Sequence, residues 1–419
     1  MIAQGQPGWE QLEQQVVAEM RVVWEAAAQS ESAEKVEQLV LEWRQRAGGR
    51  VMQALCQQAV GRHQSAPLCC GEKMDHHSGQ TKTVLTLLGA ITVRRRYYRC
   101  GRCRRNVFPA DEWLGWKGAF SHHLQEAVAW QCSLLPYREA IAGLQKLAGV
   151  EVSVLGAERS VARWGKEELQ LAPYGERVEK DLVVQIDGTT THLQEGWKEI
   201  KVGACFSWDR ANPEAQPEAV SYCADWESAE QFRETLWQEA LVRGATTARL
   251  AAVLGDGAPW VWEMAGYLFP RAGQILDWYH LSEHLWKAAK VAHGEGKPET
   301  KVLAERWENE VWECRSEGVE EHLRELVAQG KDDADNTLRK CADYLNTHQH
   351  RIRYSQFRAL GLPIGSGVVE GACKHVIGLR FKRQSTRWTK EGARAVLHLR
   401  LDRMNGRWDQ RCDFVRRAA

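Results

Sequence analysis

No apolar run in this 419-residue chain approaches 18 residues, which argues against a membrane-spanning helix. The opening stretch, Met1-Ile2-Ala3-Gln4-Gly5-Gln6-Pro7, has neither the basic nor the apolar region of a secretory signal, so a cytoplasmic, nucleoid-associated protein is expected. Net charge is almost absent, at +1, yet the charges are segregated. Asp and Glu are missing from Thr81 to Ala110, where Lys82, Arg94, Arg95, Arg96, Arg99, Arg102, Arg104 and Arg105 fall. From Gly371 to Arg407 only Glu391 and Asp402 oppose Lys374, Arg380, Lys382, Arg383, Arg387, Lys390, Arg394, Arg400, Arg403 and Arg407. Two basic blocks in a near-neutral chain point to two surfaces that contact a polyanion; solvated surface charge is the plainer alternative.

Charged residues at 26% and hydrophobics at 44% are ordinary for a globular protein, and the length suits two to four domains. Twelve cysteines without a secretory signal point to metal more than to disulfides. Cys132, Cys205, Cys223, Cys314, Cys341 and Cys412 are scattered and read as small core or surface residues. The 19 tryptophans read mainly as packing anchors.

Residues 1–62 form a first region. Leu12, Val16, Val17, Met20, Val23, Leu39, Leu41 and Trp43 recur at helical spacing, giving two or three helices for oligomerisation or DNA contact. Residues 63–115 change character. Thr83–Leu88 and Ile91–Arg99 alternate like the arms of a β-hairpin, and cysteines flank both sides. Cys100-Gly101-Arg102-Cys103 has the spacing of a zinc knuckle, whereas Cys69-Cys70 does not. Adjacent cysteines rarely ligate one ion, so zinc is expected on Cys70, Cys100, Cys103 and one of Cys69, His63, His76 or His77; a metal-free ribbon is the alternative. Residues 116–175 return to helix. Pro136 starts a helix to about Leu147, Gly149 breaks it, and Ser153 caps the next, the outline of a helix-turn-helix that either reads DNA or merely packs.

Residues 176–405 alternate strands (181–187, 199–207, 218–223, 249–255, 273–278) with helices (226–242, 258–268). Three strands, helix, strand, helix, strand is the order of an α/β, ribonuclease-H-like core. A helical insertion at 281–360 interrupts it, and 406–419 is left as a tail. Asp187 and Asp256 each end an apolar run and meet a glycine. Glu370 opens a basic helical segment with Lys374 one turn on. Two strand-end aspartates and a helical glutamate can converge on Mg²⁺ or Mn²⁺, which takes carboxylate oxygens. A two-metal site of that kind clamps both the attacking and the leaving oxygen of a phosphodiester. Each acid taken singly is equally a turn or cap residue. Lys374, Arg380, Lys382 and Arg383 are expected on phosphates, with Arg94, Arg95 and Arg96 on a second DNA surface. In Asp277-Trp278-Tyr279-His280, Asp277 and His280 either shape the site or cap a helix locally.

Together these stretches resemble a bacterial insertion-sequence transposase of the DDE type, in the IS-Kra-type family related to the Mutator-like group. The resemblance covers roughly 60–405 and rests on Arg94–Cys100, Val184–Gly188, Gly255-Asp256-Gly257 with Asp277–His280, and Gly365–Glu370 through Trp388. It implies that Asp187, Asp256 and Glu370 are catalytic and hold magnesium. It also implies double-stranded DNA partners, both terminal inverted repeats and target, and a homodimer or larger synaptic assembly. Two departures stand out. Asp277 lies where the Mutator-like group has the cysteine of a Cys-x₂-His motif, and the first zinc knuckle is irregular. A ribonuclease-H-fold nuclease of the junction-resolvase kind and a non-catalytic transposase derivative are the alternatives.

Overall fold

The structure is a computed structural model that describes residues 8–116, 118–175, 179–383 and 386–417. The opening heptapeptide on which the signal-sequence reading rests lies outside them. The chain is mixed α/β and forms two compact units, Met1–Glu167 with Trp408–Ala419, and Glu168–Arg407. Among the described residues no helix is long and apolar enough to cross a membrane.

In the first unit, α1 (Trp9–Ala28) and α2 (Ala33–Arg62) precede a small β region. Ser32 caps α2 by accepting from the Lys35 N–H. Strands β1 (Leu68–Cys69) and β2 (Glu72–Lys73) make a two-residue knuckle, and β3 (Asp75–Thr86) pairs antiparallel with β4 (Gly89–Arg99), which also meets β5 (Asn106–Val107). Strand β4 buries Ile91, Val93 and Arg95 and exposes Thr92, Arg94 and Arg96, as a two-residue period dictates. Helix α2 covers its free edge. The Gln53 and Gln57 side chains accept from the N–H groups of Thr92 and Arg94, so this edge is not left open for pairing. Cys56 and Val60 of α2 join Val84, Ile91 and Val93 in one small core.

After α3 (Ala110–Leu114) come α4 (His122–Leu134), α5 (Tyr137–Ala148) and α6 (Val154–Trp164). Gly149 closes α5 at φ +66°, and Ser153 caps α6 by accepting from Gly156, both at the positions the sequence marks.

The second unit holds a five-stranded sheet: β6 (Asp181–Leu193), β7 (Gly196–Trp208), β8 (Glu218–Asp225), β9 (Leu250–Gly255) and β10 (Gly273–Leu276), in the order β10-β9-β6-β7-β8. The first three pair antiparallel, while β6–β9 and β9–β10 are parallel. Helices α7 (Ala229–Val242) and α8 (Pro259–Leu268) connect them. Their buried faces, with Phe232, Leu236, Val261 and Ala265, complete a core with Leu182, Val183, Val184, Ile186, Phe206 and Leu254.

The expected helical insertion comprises α9 (Trp278–His293), α10 (Pro298–Trp312), α11 (Ser316–Ala328), α12 (Thr337–His348) and α13 (Tyr354–Ala359). Helix α14 (Gly367–Ala372) runs into a π-helical turn, Cys373–Gly378, and then α15 (Leu379–Phe381). Helix α16 (Lys390–Met404) is separate from the helical segment that Glu370 opens. Residues beyond 405 are not merely a tail: α17 (Trp408–Arg417) buries Arg411, Cys412 and Val415.

Candidate active site and metal centre

Parallel pairing of β6 with β9 sets Ile186 opposite Gly255, so the next residue of each strand, Asp187 and Asp256, emerges at the same end of the sheet. Asp187 is not at the end of its strand, as the sequence suggested. Strand β6 continues to Leu193 because its polar Thr-rich stretch still pairs with β7. Asp256 is held by its main chain. Its carbonyl accepts from Tyr344 Oη at 2.7 Å, and its carboxylate accepts from Ala258 N at 3.1 Å. Gly257 adopts φ +100°, and a Cβ there would lie 2.5 Å from Tyr344 Oη, so any side chain would force the loop away.

Glu370 arrives through Gln185. The Gln185 amide donates to Gly365 O and accepts from Val369 N, each at 3.0 Å, pinning the start of α14 to β6. Ser366 Oγ donates to Glu370 Oε1 at 2.9 Å. Asp277 is buried. It caps α9 by accepting from His280 N, and its other oxygen accepts from Ser366 N, tying the end of β10 to the same turn. Asp277 is therefore a positioning group, held away from solvent. His280 faces His284 with ring nitrogens 3.3 Å apart, and His284 stacks on Tyr344. Burial, aided by His280, lowers His284 to about 4, so its imidazole is neutral at physiological pH.

Asp187 titrates above the usual carboxylate range. Burial is the largest cause, and the charges of Asp256 and Glu370 add to it. The Cys373 thiol, donating to Oδ2 at 3.3 Å, and the Gly188 N–H, donating to Oδ1 at 2.7 Å, oppose the rise. The three acids therefore feel one another, but they are not gathered as tightly as the cysteine cluster below. Their donor set is all-carboxylate, which suits a divalent oxygen-seeking cation and no soft metal. The π-helical turn directly after α14 brings Cys373 onto Asp187, and such turns recur at functional sites.

The basic residues divide. Lys374, Lys382 and Arg383 are exposed, with Lys374 3.8 Å from Glu370 and Lys382 donating to Thr189 Oγ1. Arg380, by contrast, is 1% exposed and lies over the Trp388 ring at 4.5 Å, so it is a packing residue rather than the expected phosphate contact. Arg95 is corrected in the same way: it is buried, paired with Asp111 and stacked over Phe108. Arg94 and Arg96 remain on the outer face. Arg95→Gln should therefore destabilise the first unit by about 1 kcal/mol, since it leaves the partly exposed Asp111 with Lys82, 3.7 Å away, as its remaining cation. A thermal or denaturant unfolding curve checks this, and an unchanged midpoint would show the pair to be inert.

In the first unit the sulfurs of Cys69, Cys70, Cys100 and Cys103 all lie within 4.8 Å of one another, a cluster able to hold a metal such as zinc. Four thiolates at about 2.3 Å around a tetrahedral ion stand about 3.8 Å apart. Cys69 and Cys103 are 3.5 Å apart, and Cys69 and Cys70 are 3.9 Å apart. The adjacent cysteines thus do face one centre. Cys70 at φ +53° and Gly71 at φ +83° turn the knuckle sharply enough to aim both side chains inward. The three candidate histidines are engaged elsewhere: His63 stacks on Trp113, His76 meets Tyr98 and His77 meets Tyr97. Cys103 is lowered to about 7, first by a backbone hydrogen bond from Arg105 and then by its neighbouring thiols.

Gln185, Tyr344 and Cys373 escaped the sequence reading. Gln185 had a signal, a polar residue inside the apolar run Leu182–Ile186. Cys373 lies three residues after Glu370 on one helical face. Tyr344 is 88 residues from Asp256, and nothing local marks it.

The chain belongs to the uncharacterised protein family UPF0236, whose model matches residues 71–418. Similar proteins include two UPF0236 proteins of Caldanaerobacter subterraneus subsp. tengcongensis. One is 28% identical over 156 residues, covering 37% of this chain and 31% of the relative. The other is 27% identical over 156 residues, covering 37% and 29%. The matched stretch spans about a third of the length of these relatives. Among solved structures, a simian T-cell lymphotropic virus intasome in complex with PP2A regulatory subunit B56 gamma matches 49% of this chain and 64% of that chain. It does so at 14% identity and a TM-score of 0.16, too low to carry an argument.

Proposed function

We propose that this protein is a DNA transposase of an insertion sequence, with Asp187, Asp256 and Glu370 as its catalytic acids. The observation that carries the reading is their convergence: two aspartates at one end of paired parallel strands, and a glutamate delivered to them through Gln185. The order β10-β9-β6-β7-β8, antiparallel on one side and parallel on the other, supports a ribonuclease-H-like core. One relative's name joins eleven locus designations in a single genome, so one protein is encoded at eleven places. Repetition of one protein within a genome is what a mobile element leaves.

The three acids would hold Mg²⁺ or Mn²⁺, which when bound stabilises charge on the attacked phosphate and on the attacking and leaving oxygens. Asp187 is half-buried and held by the Gly188 N–H and the Cys373 thiol, and Glu370 is oriented by Ser366, so both carboxylates are positioned by the protein. Water attacks the phosphodiester at the element end and loses a proton to solvent, and the P–O3′ bond breaks, its oxygen taking a proton from solvent to become a free 3′-hydroxyl. That hydroxyl attacks a target phosphodiester, forming one P–O bond as another breaks. Zinc on the four cysteines would brace the hairpin bearing Arg94 and Arg96 against DNA, and α5–α6 would supply a second contact.

Exposed Lys382 and Arg383 should meet phosphates. Replacing both by Gln should lower the magnitude of the log–log salt slope of duplex binding by nearly two, at about 0.9 per contact. Arg380→Gln should leave the slope unchanged and lower the melting temperature instead. Affinity titrations across salt concentrations test both; a slope that responds to Arg380 alone would reverse the assignment. A strand-joining assay on DNA carrying the element ends separates a transposase from a nuclease, which would cut without joining.

A further inference from the structure

Beyond the three acids, along β6, the second unit contains a cleft of which the proposed function uses only Lys382 and Arg383. Its volume is about 540 Å³, and Thr190, His192, Trp197, Phe381, Lys382, Arg383, Thr386 and Arg387 line it. No carboxylate is among them. One wall is the end of the β6–β7 hairpin, where His192 pairs across the ladder with Trp197 and the two rings meet edge-on at 5.4 Å. Trp197 is 70% exposed.

The opposite wall is formed by Lys382, Arg383, Thr386 and Arg387, and it is anchored at the neighbouring Trp388. Trp388 forms a bridge to Leu193, and its carbonyl accepts from Gln194 N at 2.9 Å. Phe381 backs the cleft, packed between Trp226 and Trp388. The Trp226 indole in turn donates to Thr191 Oγ1. The aromatic ledge and the cationic wall are therefore held on supports that do not depend on a ligand.

We infer that this cleft receives an unpaired nucleotide of the DNA strand being processed, with the base against Trp197 and the flanking phosphates on Lys382, Arg383 and Arg387; the inference rests on the transposase reading. An indole face takes any base, whereas stacked bases of an intact duplex offer it no face. Thr190 is three residues beyond Asp187, about 10 Å along the strand and on the other face of the pleat, so a nucleotide seated here would reach the scissile phosphate around the edge of β6 that β9 leaves unpaired beyond Ile186. Lys382 spans both places, lining the cleft while donating to Thr189. The cleft would thus hold open the end of the duplex beside the cut.

The test uses full-length protein carrying Asp187→Asn, so that DNA is bound and not consumed. Affinities are measured for a blunt duplex and for the same duplex with a short unpaired extension containing 2-aminopurine, whose fluorescence is quenched by stacking. The expected result is tighter binding of the extended duplex with quenching. Trp197→Ala should remove both, lowering the preference about tenfold, while Trp197→Phe retains most of it and blunt-duplex affinity stays unchanged. Trp197 is exposed, so the substitution leaves the core intact. Equal affinity for the two DNAs, or a preference that survives Trp197→Ala, would overturn the cleft's role. If the wild-type chain still cuts and joins DNA, that failure is the cleft's alone. Binding of neither DNA would remove the transposase reading and this inference together.

Discussion

Asp187→Asn, Asp256→Asn and Glu370→Gln should each reduce DNA cleavage by about a thousandfold or more while leaving end binding within about twofold. Each change keeps the side chain's shape and removes the charge needed to hold a divalent ion. Asp187 adds a readout independent of DNA. Its folded-state pKa lies above the ordinary value, through burial first and its acidic neighbours second. The folded, metal-free chain therefore keeps that proton to higher pH than the unfolded chain. The stability so contributed is present in acid and is lost as pH rises through the raised value. The side chain in Asp187→Asn carries no such proton, so the melting temperature of this variant in chelator should gain on that of the wild type as pH rises. Magnesium should stabilise the wild type and not the variant. A variant that cleaves normally, or whose melting temperature in chelator does not gain on the wild type with pH, would remove Asp187 from the ligand set.

Purified protein should carry about one zinc per chain, and Cys100→Ser combined with Cys103→Ser should reduce that to none. Structural zinc sites carry on the order of 10 kcal/mol of apparent binding free energy, so the local consequence is large. It should also be confined. The β3–β4 hairpin has its own core with α2, whereas the small Met74–Tyr98–Cys100 cluster sits beside the knuckles. Hydrogen exchange should accelerate around residues 68–75 and 98–107 and stay slow at Val84, Ile91 and Val93. DNA affinity should fall with it, as the outer arginines of β4 lose their brace. Cys69→Ser alone should weaken zinc binding as much as Cys103→Ser does. Full zinc retention in Cys69→Ser would contradict the four-cysteine centre.

Much of this was legible in the sequence because it is written locally. The core strands contain apolar runs, two of which meet Asp-Gly, and α5 and α6 are bracketed by Pro136, Gly149 and Ser153. What escaped is non-local or masked by a stronger pattern. Arg95 lies in phase with Ile91 and Val93, so the strand period already turned it inward, yet three consecutive arginines read as one basic surface. Arg380 looked like its charged neighbours, yet it is buried against the ring of Trp388. Strand β6 outruns its apolar stretch because Thr189 to His192 find partners in β7. The cleft joins Trp197 to side chains nearly two hundred residues later, a juxtaposition no spacing rule reaches.

The central claim is that three acids separated by 69 and 114 residues form one metal-dependent site for cutting and joining DNA. The most direct measurement incubates the purified chain with DNA spanning both flanks of its own gene and a target plasmid, in Mg²⁺ and in chelator. The expected result is cleavage that exposes 3′-hydroxyls at the element ends and joins them to target DNA, only with the metal and only with all three acids intact. DNA that is bound but neither cut nor joined under any divalent metal would contradict it.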